Sequence, residues 1–133
     1  MAEKFTAFMR KREAAARAYV SGDSEPVAAL SLDVGQATFF DPGGGFTEGA
    51  PEVNRVNREG AQSFGPDSST QLEVHDSDES GDLAFWVGYQ LAEVELRGKG
   101  RKVPMRIRVT EIFRRVGDEW RMIHRHASMA KEE

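Results

Sequence analysis

The spacing of apolar residues is typical of helices in the first half of the chain and of strands in the second half. This change restricts the fold more than any other feature. From Thr70 onward the sequence contains runs rich in β-branched and aromatic residues, spanning residues 70–76, 83–96, 103–116 and 120–128. The connections between these runs are short and polar. Consecutive strands are therefore expected to be antiparallel neighbours.

The first half of the chain carries helical patterns. Residues 5–21 place apolar side chains three and four positions apart, which predicts an amphipathic helix. A second, short helix is predicted from a cap at Asp23 or Ser24 to about Gly35, and a third is predicted over residues 51–64. Helices followed by a meander of strands indicate an α+β fold, with three helices packed on the concave side of a strongly curved antiparallel sheet.

Two further segments are predicted to be a strand with its turn, and a loop. Residues 37–41 resemble a brief strand, and Pro42 with the glycines at 43–45 ends it. No lysine follows these glycines at the spacing of a phosphate-binding loop, so a turn is the better interpretation. The acidic stretch Asp76–Asp82 lacks the ligand spacing of a calcium loop and is interpreted as a solvated hairpin loop.

Length and composition exclude several classes of protein. The chain of 133 residues fits one domain, residues 1–133, and contains no cysteine for a disulfide, a thiolate metal site or a nucleophile. The net charge of −4 and the dispersed basic residues argue against nucleic-acid binding. No apolar stretch is long enough for a signal peptide or a membrane span. A cytoplasmic protein that binds no membrane is expected.

The last strand carries the pattern W-x-x-x-H-x-H-x-S, with Trp120, His124, His126 and Ser128, and follows the basic segment RVTEIFRRVGDEW. This combination resembles SnoaL-like domains and the association domain of calcium/calmodulin-dependent kinase II. The segment that ends in Asp41 and its proline is similar to one in ketosteroid isomerase. The resemblance covers nearly the whole chain and implies a nuclear transport factor 2-like fold, with a cone-shaped sheet around a pocket for a small organic molecule.

One carboxyl group lies among apolar side chains in the strand at 103–116. Alternation places Met105, Ile107, Val109, Glu111 and Phe113 on one face. A carboxyl group in an apolar setting has a raised pKa unless a cation compensates its charge, and can then act as an acid near neutral pH.

The resemblance to ketosteroid isomerase gives roles to two carboxyl groups. Glu111 falls where that family places the protonated carboxyl of its oxyanion hole, and Asp41 falls on its proton-shuttling base. The alternative for each is structural: Glu111 pairs with a histidine or an arginine under the helices, and Asp41 caps a turn. The family's oxyanion tyrosine lies where this chain has alanines 14–16, which argues against a steroid isomerase.

The predicted pocket walls come from several elements. If Phe85, Val87 and Tyr89 share the face of Ile107, they line the cavity as an apolar wall with few polar groups. The remaining predicted substrate-binding residues are Tyr19, Phe39 and His124.

Every second position of the last strand is occupied by Trp120, Met122, His124 or His126. All four side chains are therefore predicted to share one face. Two histidines at this spacing can bind a metal only with a third ligand, and no metal or cofactor is predicted. Hydrogen-bonded core histidines are more common, and a contact between His126 and Glu111 is expected.

Two functions remain open after the sequence analysis. The first is an isomerase, cyclase or dehydratase in which Asp41 is the base and Glu111 or His126 the acid, acting on an uncharged, partly apolar substrate. The second is a non-catalytic ligand-binding or oligomerisation module. A homodimer through the convex face is also expected, with Trp86, Arg108 and Arg125 near the contact.

Overall fold

The computed structural model describes residues 2–131, which form three helices and a single six-stranded sheet. The helices are α1 (Phe5–Val20), α2 (Glu25–Ala29) and α3 (Ala50–Ala61). The strands are β1 (Thr38–Phe40), β2 (Phe46–Glu48), β3 (Ser69–Ser80), β4 (Leu83–Glu95), β5 (Lys102–Val116) and β6 (Glu119–Met129). The predicted α+β class is confirmed, and the structure adds β2, a strand that the sequence did not predict.

The sheet is mixed, whereas the sequence predicted a fully antiparallel one. Its strand order is β2-β1-β6-β5-β4-β3, and β3 to β6 form the expected antiparallel meander. Strand β1, however, runs parallel to β6, with Thr38 opposite His124. A hairpin forces its two strands to be antiparallel, but β1 and β6 are separated by α3 and the rest of the meander, so no hairpin constrains their direction.

Three predicted boundaries differ from the structure. Strand β3 continues through most of the acidic stretch to Ser80, and only Gly81 and Asp82 form the turn. β3 is an edge strand whose acidic side chains remain in solvent, so the ladder with β4 can extend along them. Helix α2 is a single turn that ends at Ala29, and α3 ends at Ala61.

Helix α1 packs on one face of the sheet, which we call the inner face. Phe8 of α1 contacts Phe113 of β5 edge to face, with 5.0 Å between the ring centroids, and Phe5 contacts Trp120 of β6 at 5.6 Å. All four rings are buried. Full burial of one such side chain stabilises a fold by about 1.5–3 kcal/mol, so these rings fix α1 against the sheet.

The side chains of β4 have the opposite orientation to the one predicted. Trp86 lies opposite Glu111, and Gln90 lies opposite Ile107, so the even-numbered residues face inward. Phe85, Val87 and Tyr89 therefore lie on the other side of the sheet, the outer face. The prediction was wrong because β4 carries large apolar residues on both faces, so alternation alone does not show which face is buried.

A β-bulge reverses the alternation within β6. Phe113 pairs with Met122, but the preceding Ile112 pairs with His124, which leaves Ile123 without a partner across the ladder. Trp120 and Met122 face inward before the bulge, and Arg125 and Ala127 face inward after it. The predicted shared face of Trp120, Met122, His124 and His126 is therefore wrong, and both histidines lie on the outer face.

Candidate functional site

A cavity of about 280 Å³ lies between the inner face of the sheet and the helices. Its wall is mostly apolar, with side chains from all three helices and from β1, β4, β5 and β6. The apolar lining residues are Ala16, Val20, Val27, Phe39, Pro42, Phe64, Ala92, Val94, Met105, Ile107, Met122 and Met129. The polar side chains of the lining are Arg12, Tyr19, Asn57, Gln90 and Arg125. An apolar wall with a few polar groups is typical of sites for small organic molecules.

Glu111 lies beneath this cavity and is fully enclosed, with 0 % of its surface exposed. Arg12 of α1 donates from Nε to Oε1 at 2.9 Å and from Nη2 to Oε2 at 2.8 Å. Arg125 donates from Nη1 to Oε2 at 2.5 Å, and Trp86 donates from Nε1 to Oε1 at 2.7 Å. Each carboxylate oxygen thus accepts two hydrogen bonds. We call Arg12, Glu111 and Arg125 the arginine cluster.

The arginine cluster keeps Glu111 ionised. Burial by itself raises the pKa of this carboxyl, but the charges of Arg12 and Arg125 and the hydrogen bonds from Arg12 and Trp86 outweigh it and lower the pKa to about 2. For Arg12, burial lowers the pKa, but Glu111 outweighs this effect and the pKa is raised. Glu111 thus pairs with arginines under the helices, as the structural alternative predicts.

Tyr19 lies in the cavity wall close to helix α3. A Cβ atom on Gly60 would lie 2.5 Å from the tyrosine hydroxyl oxygen, so a larger residue at this position would displace the Tyr19 side chain. Burial raises the pKa of Tyr19, and the charges of Arg125 and Arg12 oppose that shift. Tyr19, Phe39 and Ile107 are the three predicted pocket residues that line the cavity.

A family model described as a SnoaL-like domain matches residues 12–132. The chain belongs to this SnoaL-like family. A comparison with curated proteins finds no match.

Solved structures with the same fold include bacterial nuclear transport factor 2-like proteins and the hub domain of a calcium/calmodulin-dependent kinase II. A nuclear transport factor 2-like protein of Streptomyces avermitilis, described as a candidate dehydratase, is 23% identical with a TM-score of 0.75, over 86% of this chain and 88% of that chain. A nuclear transport factor 2-like protein of Salmonella enterica is 14% identical with a TM-score of 0.79, over 96% and 89%. The calcium/calmodulin-dependent kinase II hub of S. rosetta is 17% identical with a TM-score of 0.69, over 94% and 95%.

In this SnoaL-like domain Asp41 forms a turn between β1 and β2. Its Oδ1 atom accepts hydrogen bonds from the backbone N–H groups of Gly43 at 2.9 Å and of Gly45 at 3.1 Å. The neighbouring Pro42 lines the cavity, but Asp41 does not. The Asp41 carboxylate thus caps this turn, as the structural alternative predicts.

The two histidines of β6 do not meet Glu111. Nδ1 of His124 lies 2.7 Å from the Thr38 hydroxyl oxygen, and the exposed His126 ring lies 5.0 Å from the Phe40 ring centroid. Partial burial lowers the pKa of His124, and the nearby His126 adds to that shift. The predicted contact between His126 and Glu111 is wrong, because the bulge at Ile123 turns the histidines outward.

Arg12, Gln90 and Arg125 line the cavity but were not predicted from the sequence. Arg12 occupies the apolar stripe of α1, four positions after Phe8 and three before Ala15. A charged residue on such a stripe is a signal that a buried partner exists. Arg125 could have been recognised only with knowledge of the bulge.

Among residues 2–131 no helix is long and apolar enough to cross a membrane.

Proposed function

We propose that this SnoaL-like domain is a binding module for a small organic molecule, held in the cavity on the inner face. The observation that carries the proposal is the cavity itself. Its volume of about 280 Å³ is close to the lower end of the range of about 300–1,000 Å³ for ligand pockets. An apolar wall interrupted by two arginines, a tyrosine and two amides would recognise a compact ligand with one polar end.

The chemistry of the carboxyl groups favours binding over acid–base catalysis. A general acid must hold a proton near neutral pH, and Glu111, with a pKa of about 2, holds none. Asp41 accepts hydrogen bonds from the amides of its own turn and is not part of the cavity lining. The catalytic assignment of Asp41, Glu111 and His126 therefore has less support than a role in structure.

Ligand-observed NMR with small aromatic compounds tests the proposal. Indole and benzyl alcohol are expected to show saturation transfer from the wild-type protein. Ala92→Leu places a larger side chain in the cavity wall and should abolish this transfer. Ala14→Leu is the matched control, because Ala14 is exposed on α1. Equal binding by Ala92→Leu and the wild type would show that the cavity is not the binding site.

We also infer that two copies of the chain associate through the outer face. Phe85 and Ile112 are adjacent on this face and line a groove of about 410 Å³ together with Leu83, which is 48% exposed. Apolar surface of this kind is typical of an interface. Trp86 and Arg125, predicted at the contact, instead face inward, whereas Arg108 does lie on the outer face.

Charge distribution on the outer face also supports a second copy as the occupant. Asp78 of β3 lines the groove and Asp76 lies two positions before it, while Arg106 and Arg108 lie on β5 beyond the groove residues Thr110 and Ile112. A two-fold rotation can place the acidic end of one copy against the basic end of the other.

Light scattering coupled to size-exclusion chromatography tests the dimer. The wild type should elute with twice the mass of the chain, and Ile112→Arg should elute as a monomer because it places a charge in the apolar contact. Val34→Asp is the control, since Val34 is 74% exposed in a loop outside the sheet. A monomeric wild type at micromolar concentration would refute the dimer.

A further inference from the structure

The arginine cluster contains one more positive charge than negative charge. Arg12 and Arg125 both pair with Glu111. Within the described residues 2–131, neither guanidinium forms an ion pair with a second carboxylate. Because Glu111 is ionised, the cluster has a net charge of +1.

This surplus charge is located where water cannot screen it well. Arg12 is 4% exposed, and the side chain of Arg125 is 16% exposed. An uncompensated buried cation destabilises a protein, so native structures pair such charges or use them for binding.

Arg12 also has an unused hydrogen-bond donor. Its Nε and Nη2 atoms bind Glu111, but its Nη1 atom is buried and has no hydrogen-bond partner in the part of the chain that the structure describes. Buried donors without a partner are rare in native proteins, and each one requires an explanation. Because this atom is itself buried, an acceptor supplied from outside the chain would remove the deficit only together with a shift of the Arg12 side chain.

Both arginines belong to the lining of the cavity, and they lie at the same place in it because they share Glu111. Gln90 accepts a hydrogen bond from Nη2 of Arg125 at 2.9 Å, which fixes that guanidinium. The rest of the wall is apolar, apart from Tyr19 and Asn57. The cavity therefore combines one cationic end with an apolar body.

From this arrangement we propose that the ligand is a small organic monocarboxylate, whose carboxylate binds at the Arg12 and Arg125 end of the cavity and whose apolar body fills the remainder. This inference rests on the proposed binding function and names its ligand class. One negative charge neutralises the surplus of the cluster, and guanidinium groups match the planar geometry of a carboxylate. The size of the cavity limits the apolar body to about that of one aromatic ring or a short chain.

Matched ligands separate the contribution of the charge from that of the apolar body. Dissociation constants are measured by titration for benzoate, benzamide and benzyl alcohol at neutral pH, at fixed ionic strength. Benzoate is expected to bind at least about tenfold more tightly than the two neutral compounds, because a hydrogen bond to a charged group is about twice as strong as a neutral one. Sodium chloride and inorganic phosphate serve as anions without an apolar body.

A substitution that removes the surplus charge provides the second test. In Arg125→Met, Glu111 keeps both bonds from Arg12 and the bond from Trp86, so the carboxylate remains paired. In this variant the affinities for benzoate and for benzamide should become about equal, because both ligands are then measured in the same altered cavity. Arg10→Met is the matched control, because Arg10 is exposed on α1 and lies outside the cavity lining. It should leave all three constants unchanged.

The possible outcomes distinguish the two proposals. If benzyl alcohol binds and benzoate binds no better, the monocarboxylate is refuted while the binding function stands. If neither class binds, the binding function fails as well. If chloride or phosphate displaces benzoate at equal concentration, the cluster binds inorganic anions and the organic carboxylate is refuted. If Arg125→Met does not fold, the comparison of benzoate with benzamide on the wild type still decides the question.

Discussion

Residues 2–131 contain two three-residue ion clusters with opposite composition and opposite surroundings. In the arginine cluster, one carboxylate lies between two guanidiniums and is fully buried. On the surface of α3, one guanidinium, Arg55, lies between Glu52 and Glu59, with side chains 45–58% exposed. The distances from nitrogen to oxygen are similar, between 2.5 and 2.9 Å.

The difference between the two clusters shows that geometry alone does not set the energy of an ion pair. Water screens the charges around Arg55, so loss of one partner changes little. Around Glu111, water is excluded, so loss of one partner leaves a charge without solvent or counterion. A buried cluster is therefore sensitive to any change in its charge, which also makes it suitable for the recognition of a charged ligand.

The largest effect is expected for Glu111→Gln. This substitution leaves the guanidiniums of Arg12 and Arg125 buried without a counterion and should lower the free energy of unfolding by about 3–5 kcal/mol. Urea denaturation followed by circular dichroism measures it. The matched control is Glu52→Gln on α3, which should change the stability by less than about 1 kcal/mol. Equal losses in both variants would show that water reaches Glu111.

Acid should weaken the arginine cluster in a defined pH range. The pKa of Glu111 is lowered from an ordinary value of 4.5 to about 2 in the folded protein. The pair therefore stabilises the fold fully above pH 4.5, and this stabilisation is lost as the pH falls towards 2. The total is about 3 kcal/mol, since one pKa unit corresponds to about 1.4 kcal/mol.

The difference in stability between the wild type and Glu111→Gln isolates this effect from other carboxyl groups. It should shrink as the pH falls below 4.5. A difference that stays constant down to the acid limit of folding would mean that Glu111 does not titrate there.

The contrast between strands explains which parts of the site could be predicted from the sequence. The sequence predicts the faces of strand β5 correctly, because one of its sides is apolar apart from Glu111 while the other carries arginines and threonine. Helix order, the meander and the family were also predicted from periodicity, turns and motifs. These features depend on residues that lie close together in the chain, so they can be predicted from short sequence patterns.

The incorrect predictions involve features that depend on other parts of the chain. The bulge at Ile123 leaves no mark in the alternation of β6, yet it turns His124 outward and Arg125 inward. Likewise, the pairing of Trp86 with Glu111 depends on the register between β4 and β5. The cation at Arg12 was visible on the apolar stripe of α1, but the distance to its partner, 99 positions along the chain, is a property of the fold.

The smallest effect is expected for the surface cluster and concerns salt. Removal of the central cation by Arg55→Gln breaks two pairs, with Glu52 and Glu59, each separated by three or four positions on α3. Such pairs contribute about 0.2–0.5 kcal/mol each, so the total loss should stay below about 1 kcal/mol. Because the charges are exposed, added salt should reduce even this loss, whereas the cost of Glu111→Gln should persist in salt. Urea denaturation of both variants at low and high sodium chloride measures the contrast. If the cost of Glu111→Gln disappears in salt together with that of Arg55→Gln, the arginine cluster is solvated and does not differ from the surface cluster.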